Sequence, residues 1–585
     1  MATHDFLLGP VLSFRGIGAD GTWKVSALIG LKDGAAVPTL LLEGKACAAP
    51  RQLLVIRKER YLRYDLSCAM KKTERRVEYG VQGGPTWHFT VPGRDLAPRL
   101  AYVSCNGFSD PAGMRRLVRP ANTVWADLLA SHDKSLRGGM LLDKEQLWHE
   151  VRIHDKGLQR FQLLLMGGDQ IYFDSIWEDL PELKHWVSLS RAEQLKFSVS
   201  ATLDRKIEAY YFTLYARRWL PEKRRPWGAA EPNRDAADAL ARIPTLMMWD
   251  DHDIFDGWGS YSPEMQRSPL FRCLFRHARR AFWVFQMQHA LDDLPELADA
   301  TPPGFSSQDP IYRPVAWSQR LAQDPLALPL LDGQPGFTSA FQAGPLALVV
   351  ADLRTERSRT QVLGSDSWTQ LKAWLGKLDA KAPPKNPGTR VQHLLFMSSV
   401  PVVHPKLSAA EALLDNLGQD HVLDSSADDL RDHWSHDDHE GERKRLLEVL
   451  SETARSKGLR VSLVSGDVHV AAWGIAYRRD LPASEARAQI QQFTSSAVVH
   501  PSLMGVAERL FLGLLNASAG SPQHLDAHSS VEMMLFPGHN RYVMPARNWL
   551  ALELDEGSDR PKLWATWRCE TETAFSNHLQ TVAPA

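Results

Sequence analysis

The sequence has 585 residues, 44% of them hydrophobic and 23% charged, with a formal net charge of −1 and a pI near 7.1. That length exceeds one ordinary domain of about 100–200 residues, and the apolar share is that of a globular chain able to bury a large core. The balanced charge excludes a global field for nucleic acid or an anionic membrane, and five scattered cysteines without a CxxC pair exclude a disulfide scaffold and fit a reducing compartment.

The amino terminus, MATHDFLLGPVLSFRG, has neither the basic flank nor the apolar run of a secretory signal. No window reaches the roughly 18 apolar residues of a membrane-spanning helix. The expectation is a cytoplasmic protein without a membrane span, and oligomeric state is left open. Over residues 1–95, short β-prone stretches at Thr22–Ile29, Thr39–Leu42, Gln52–Ile56 and Trp87–Val91 are broken by GADG, LKDG and VQGG. Turns at that spacing predict a small N-terminal β-sandwich module. It carries no catalytic cluster.

From Pro98 onward the pattern changes. Apolar runs at Arg99–Ser104, Phe161–Met166, Pro244–Trp249, Leu346–Val350, Val391–Phe396 and Val461–Val464 each end in a polar or glycine-bearing segment. Runs of this kind predict strands buried on both faces, with helices to cover them. Ser190-Arg191-Ala192-Glu193 forms a capping box that opens a helix through Ala216. Leu270, Leu274, Ala278 and Phe282 fall at helical spacing, and further helices are expected within Ser367–Leu378 and Gly441–Arg455. Long loops are expected at Pro302–Pro314, Lys381–Arg390 and Leu414–Asp429. Residues 96–585 thus read as one α/β domain with insertions.

In open α/β sheets, ligands bind beyond the carboxyl ends of the strands. Here those ends deliver Cys105-Asn106, Gly168-Asp169-Gln170-Ile171-Tyr172, Trp249-Asp250-Asp251-His252-Asp253 and Gly466-Asp467-Val468-His469. Asp169, Asp251 and Asp467 placed together would repel until one of them bound a proton. A di- or trivalent metal relieves that repulsion, and oxygen, imidazole and thiolate donors together suit iron, zinc or manganese, with calcium where oxygens dominate. Each motif has a plainer reading. Gly-Asp is a common turn pair, a lone cysteine is more often a small buried hydrophobe, and Asp250 reads better as a structural acceptor or cap. The acidic and histidine-rich stretch His433, His436, Asp437, Asp438, His439 and Glu440 reads better as a helix amino terminus. His500, beyond Thr494-Ser495-Ser496, lies past a further strand end, as a pocket-lining or a satisfied histidine.

Taken in order, Ser104-Cys105, GDQIY, WDDHD and GDVH resemble the alkaline phosphatase D (PhoD-like) family of the metallophosphoesterases. Asp352-Leu353-Arg354 with Arg357 resembles the D-x-R segment of that family, and Asp432-His433-Trp434 ahead of Glu442-Arg443 its D-x-W segment. The resemblance covers most of the chain after Pro98. It implies a four-layer αββα sandwich and a multinuclear metal site, commonly iron with calcium, with zinc or manganese as alternatives. By that similarity Cys105, Asp169, Tyr172, Asp251, Asp467 and His469 are metal ligands, and His252 is the proton donor or transition-state stabiliser. Arg354, Arg357 and Asn106 are candidate substrate contacts; the two arginines suit a bidentate hold on phosphate, and structural ion pairs are an equal reading of them. Two departures stand out: Asp253-Ile254-Phe255-Asp256 where the family more often has Glu and an Asn-rich turn, and no twin-arginine signal.

The expected function is hydrolysis of phosphomonoesters or diesters, of small molecules or polymers, by in-line attack of a metal-bound hydroxide. No specific nucleic-acid recognition is expected. The alternatives are a catalytically silent scaffold on the same fold and a metallohydrolase of another ester or of a pyrophosphate bond.

Overall fold

The computed structural model describes residues 6–109, 117, 119–134, 161–219, 234–300, 310–378, 390–405, 434, 437–481, 489–501, 512–513, 516–555 and 560–584. The expected long loops lie largely outside these residues, as do Asp432, His433 and His436. Within them the chain is a mixed α/β structure built on two large sheets.

Strands β1 (Leu8–Ile17) and β2 (Thr22–Lys32) are antiparallel neighbours, while β3 (Leu100–Val103), β4 (Leu163–Gly167) and β5 (Thr245–Met248) lie parallel side by side. All five belong to one 11-stranded sheet. The second sheet, of nine strands, carries β6 (Leu346–Val350), β7 (His393–Ser398), β8 (Arg460–Ser465), β9 (Ala471–Arg478) and β10 (Ile490–Ser495). In it β6, β7, β8 and β10 are parallel neighbours, and β9 closes antiparallel on β10. Strand β11 (Asn548–Leu554) returns to the first sheet, antiparallel to β3.

Alternation along these strands divides the core. Leu100, Tyr102, Leu163 and Leu165 share one buried cluster with Leu346, Leu348, Leu395, Met397 and Val464 of the other sheet. Ala101, Val103, Leu164 and Met166 point the opposite way, into a cluster with helices α1 (Thr123–Lys134), α3 (Ala201–Leu214) and α4 (Pro269–Phe285), the short α2 (Arg191–Lys196) preceding α3. Ala347, Val349, Leu394, Phe396 and Leu463 do the same toward α5 (Ser365–Lys377) and α6 (Glu440–Lys457). The period of two that sends successive side chains to opposite faces explains why the strands read as unbroken apolar runs.

Two expectations change. The N-terminal segment is not closed off as a sandwich of its own. Its strands at 40–42, 45–46, 75–81 and 86–91 form a small sheet, but β1 sits parallel to β5 through Ser13 and Thr245, and Thr245 Oγ1 donates to Leu12 O at 2.7 Å. Buried Arg15 and Arg63 bind this segment to later chain, through Met287 O at 2.7 Å and Asp324 at 2.7 Å. The single helix expected from Ser190 to Ala216 is two. Glu193 does reach back to the Ser190 N–H at 2.9 Å, but α2 (Arg191–Lys196) ends at Phe197, whose extended backbone leads to a second cap, where Ser200 accepts from Leu203 N at 3.2 Å. α4 buries Leu270, Leu274, Ala278 and Phe282 as their spacing requires. No helix among the described residues is long and apolar enough to cross a membrane.

Glu356, 5% exposed, faces the amino end of α5, where Ser367 Oγ donates to it. Burial pushes its carboxyl up to about 7, against the opposing pull of the Ser367 and Gly364 hydrogen bonds. The folded chain therefore binds this proton more tightly than the unfolded chain does. Stability from this group is full below the ordinary glutamate range and falls as pH rises through about 7, by ~3 kcal/mol in all. Glu356→Gln is expected to flatten that part of the pH profile in denaturant titrations at pH 5 and pH 8. Identical pH dependence in the two proteins would show that the carboxyl is not shifted.

Candidate metal centre

Five strand ends meet where the two sheets face each other. β3 ends in Cys105, β4 in Asp169 and Tyr172, β5 in Asp250–Asp253, β8 in Asp467 and His469, and β10 in Ser496 and His500. The backbone is strained just there. Cys105, Asp169, Asp467 and His469 have φ of 55°, 56°, 71° and 52°, a region that costs non-glycine residues on the order of 1–3 kcal/mol and is found where function over-determines geometry. The two glycines before the aspartates serve different ends. Gly168, at φ 106°, makes the turn and clears Asp250, whose Cβ would lie 2.6 Å from an added Cβ. At Gly466 a Cβ would fall 2.5 Å from Ser104, so this glycine lets the two sheets' strand ends touch.

Asp169, Asp250, Asp251 and Asp467 each bring a carboxylate oxygen within 4.8 Å of the others, and Asp169, Asp251 and His252 form a second such group. Cys105 Sγ lies 3.4 Å from Asp169 Oδ2 and 3.0 Å from Ser496 Oγ. The buried guanidinium of Arg354 ion-pairs with Asp250 and lies 3.3 Å from Asp251 Oδ1. That guanidinium reaches two of the four carboxylates. Burial pushes the Asp169 carboxyl well up, and Asp250, Asp251 and Asp253 add to the rise that His252 opposes. Asp169 Oδ1 and Asp250 Oδ2 are buried with no hydrogen-bond partner. Orphaned buried oxygens of this kind call for a cation or water, and carboxylates held together beside a thiol, a phenol and imidazoles fit a multivalent metal.

His252 is held from one side by Asp174, whose Oδ2 lies 2.9 Å from Nδ1, while Tyr172 stacks near its ring with centroids 4.3 Å apart. Burial alone would lower its pKa, but the facing carboxylates of Asp174, Asp251 and Asp169 raise it well above the usual value. Asp174 itself is fixed by the Asp256 N–H at 2.7 Å. It is the functional neighbour that the motifs missed, and its signal is the second aspartate in GDQIYFD.

The structure also reassigns residues. Arg354, open in the sequence between a substrate contact and a structural ion pair, is fully buried and donates to Asp250, Asp251 and Trp258 O. Arg357 is equally buried, its stem so close to Gly259 that a Cβ there would fall 2.2 Å from Arg357 Cγ. Asn106 is 8% exposed, and its carboxamide oxygen accepts from Trp125 Nε1 at 2.8 Å. All three are thus enclosed, Arg354 and Asn106 with partners of their own chain. Asp250 accepts from Arg354 through Oδ1, while its Oδ2 stays unpartnered within the group of convergent carboxylates. Asp253 accepts from the backbone N–H groups of Gln170, Ile171 and Asp250 at 3.1, 3.2 and 3.0 Å and from Gln286 Nε2 at 2.9 Å, clamping the β4 turn to the β5 turn. The departure from Glu at this position is thus filled by a side chain short enough to cap its own turn.

A second grouping joins α3 to α4: Asp204 Oδ1 lies 3.2 Å from Cys273 Sγ and 3.0 Å from His277 Nε2. Arg276 ion-pairs with the same oxygen and Arg280 Nη1 is 3.3 Å from His277 Nδ1. Two guanidinium groups already supply positive charge, so this is a satisfied hydrogen-bond hub. His439, next to α6, has Nε2 at 3.2 Å from Ser358 O, which supports the helix-terminus reading of its stretch.

The family described as PhoD related phosphatase matches residues 114–301 and 422–518, which hold Asp169, Tyr172, Asp251, His252, Asp467 and His469 but neither Cys105 nor Arg354. The uncharacterized protein YGR266W of Saccharomyces cerevisiae is 26% identical over 443 residues, 71% of this chain and 56% of the relative. The chain thus spans about half the length of that curated relative. A solved structure titled "Structure of PhoD" superposes with a TM-score of 0.51 at 12% identity, covering 100% of this chain and 93% of the other. At that identity the likeness is one of fold.

Proposed function

We propose that this chain, one of the PhoD-like family by its family match, hydrolyses phosphate esters, monoesters or diesters, with a resident multinuclear metal centre. The observation that carries this reading is the convergence of Asp169, Asp250, Asp251 and Asp467, with Asp169 Oδ1 and Asp250 Oδ2 buried and left without a partner. Cys105, Asp169, Tyr172, Asp251, Asp467 and His469 would hold the metals, iron with calcium first, zinc or manganese otherwise. Metals bound there would supply an acidified water as nucleophile and positive charge toward the phosphoryl oxygens.

The chain's own groups do the rest. His252 donates Nδ1–H to Asp174, so Nε2 is the nitrogen that can hand a proton to a leaving alkoxide. Tyr172 and Asp174 fix the plane of that ring between them. Arg354 keeps Asp250 and Asp251 at a fixed separation, and the Gly257 N–H holds the second oxygen of Asp251 at 2.8 Å. Residues 96–585 carry the chemistry as a four-layer αββα sandwich, a reading supported by the three separate apolar clusters, and residues 1–95 extend its first sheet, β1 lying beside β5. Five free cysteines support a cytoplasmic setting.

The test is metal analysis of the purified protein together with turnover of aryl phosphate mono- and diesters after reconstitution with iron plus calcium, zinc or manganese. Metal-dependent release of the aryl alcohol is expected. Protein that binds none of these ions and stays inert in every reconstitution would sink the proposal.

A further inference from the structure

The loop after β10 reaches the rim with side chains outside the ligand set. Val498 N and His500 N donate to Ser104 O and Cys105 O at 2.9 and 3.2 Å, stitching this loop of the second sheet to the end of β3 in the first. That attachment sets the ring of His500 beside the centre. The ring lies 3.7 Å from the ring of His469, at 17° between planes, and 5.8 Å from that of Tyr172, at 21°. With Tyr172 against His252 at 4.3 Å, four rings follow one another across the site: His252, Tyr172, His500, His469. His500 is 8% exposed, and its Nδ1 lies 3.0 Å from Pro501 O. A carbonyl only accepts, so Nδ1 carries its hydrogen and the ring is pinned in one plane.

His469 is only partly buried, and its backbone sits in the left-handed region at φ 52°. The face of its ring lies against that of His500, and this stack bears on the plane the ring takes. We infer that His500 is a positioning residue: by stacking between Tyr172 and His469 it sets the planes of two side chains that the proposed centre uses as ligands, and it acts through its flat face rather than as a ligand or proton carrier. The inference rests on the proposed metal-centre reading.

Three variants separate the possibilities: His500→Phe keeps a flat ring without nitrogens, His500→Leu keeps bulk without a plane, and His500→Ala removes both. Each is measured for metal affinity by competition with a chelator, for thermal melting, and for kcat and KM on an aryl phosphate. His500→Phe is expected to keep wild-type metal affinity and kcat. His500→Leu and His500→Ala are expected to lose about 10–100-fold in metal affinity, the scale typical of groups that orient metal ligands, with kcat falling and KM little changed. His500→Phe as impaired as His500→Ala would show that a nitrogen is needed and overturn the inference, as would His500→Leu at wild-type affinity. If His500→Ala melts early, the comparison of the Phe and Leu variants decides. Wild-type protein that binds no metal would instead sink the proposed function itself.

Discussion

Asp169→Asn is expected to bring phosphate-ester turnover to background and to lower the bound metal, while the metal-free protein melts no earlier than wild type. Asp169 belongs to both groups of convergent donors, and its Oδ2 lies 3.4 Å from Cys105 Sγ, so any cation at the rim meets this carboxylate. Without a cation its charge is unfavourable. It is buried beside Asp250, Asp251 and Asp253, with Oδ1 unpartnered. Asparagine keeps the shape and tolerates φ 56° better than most residues do, so removing the charge relieves repulsion in the empty site rather than opening a hole. Function and stability are therefore expected to move in opposite directions, as they do where a site is built against the stability of its fold. Differential scanning calorimetry with excess chelator, beside metal analysis and turnover, tests all three parts. Wild-type turnover by Asp169→Asn would remove this residue from the centre, and a large loss of melting temperature with chelator would mean that its carboxylate is structural.

The strands that carry the site were legible because each is buried on both faces, and an unbroken apolar run such as Phe161–Met166 is visible without a partner. The rim was legible for a related reason: strand ends are where apolar text stops, and carboxylates written there must meet a ligand or a proton. β1 was not legible, because Arg15 interrupts its apolar pattern and is accommodated only by Met287 O and other acceptors far along the chain. The same distance hides the role of Arg354, which the motif alone leaves open between substrate and structure. Its partner Asp250 is about a hundred positions away, and only the packed sheet shows that the guanidinium is enclosed. The break at Phe197 was missed because Ser200 caps a second helix, and a serine within a helical pattern does not announce which role it takes. Asp174 was missed for want of a partner in sequence, since it acts through a histidine 78 residues on. His500 was placed past a strand end with its role open, because the ring it stacks on is delivered by a different strand.

His252→Ala is expected to keep the metal content of wild type and lose about 10²–10⁴-fold in kcat, the range that a positioned general acid supplies. The imidazole is held by Asp174 and Tyr172 on the chain's own framework, so its removal leaves Cys105, Asp169 and Asp467 in place. The loss must depend on the leaving group. A nitrophenolate departs without help, whereas an alkoxide needs a proton as the bond to phosphorus breaks, so the defect should be shallow with the aryl ester and deep with an alkyl ester. Asp174→Asn should follow the same trend more weakly, because asparagine can still receive Nδ1–H but no longer favours the charged ring. An alanine variant equally impaired on both esters would point instead to an orienting role beside Asp251, whose backbone carbonyl begins the short turn that carries His252. An alanine variant that turns over alkyl esters normally would leave His252 with no part in the chemistry, and the proton would have to come from solvent.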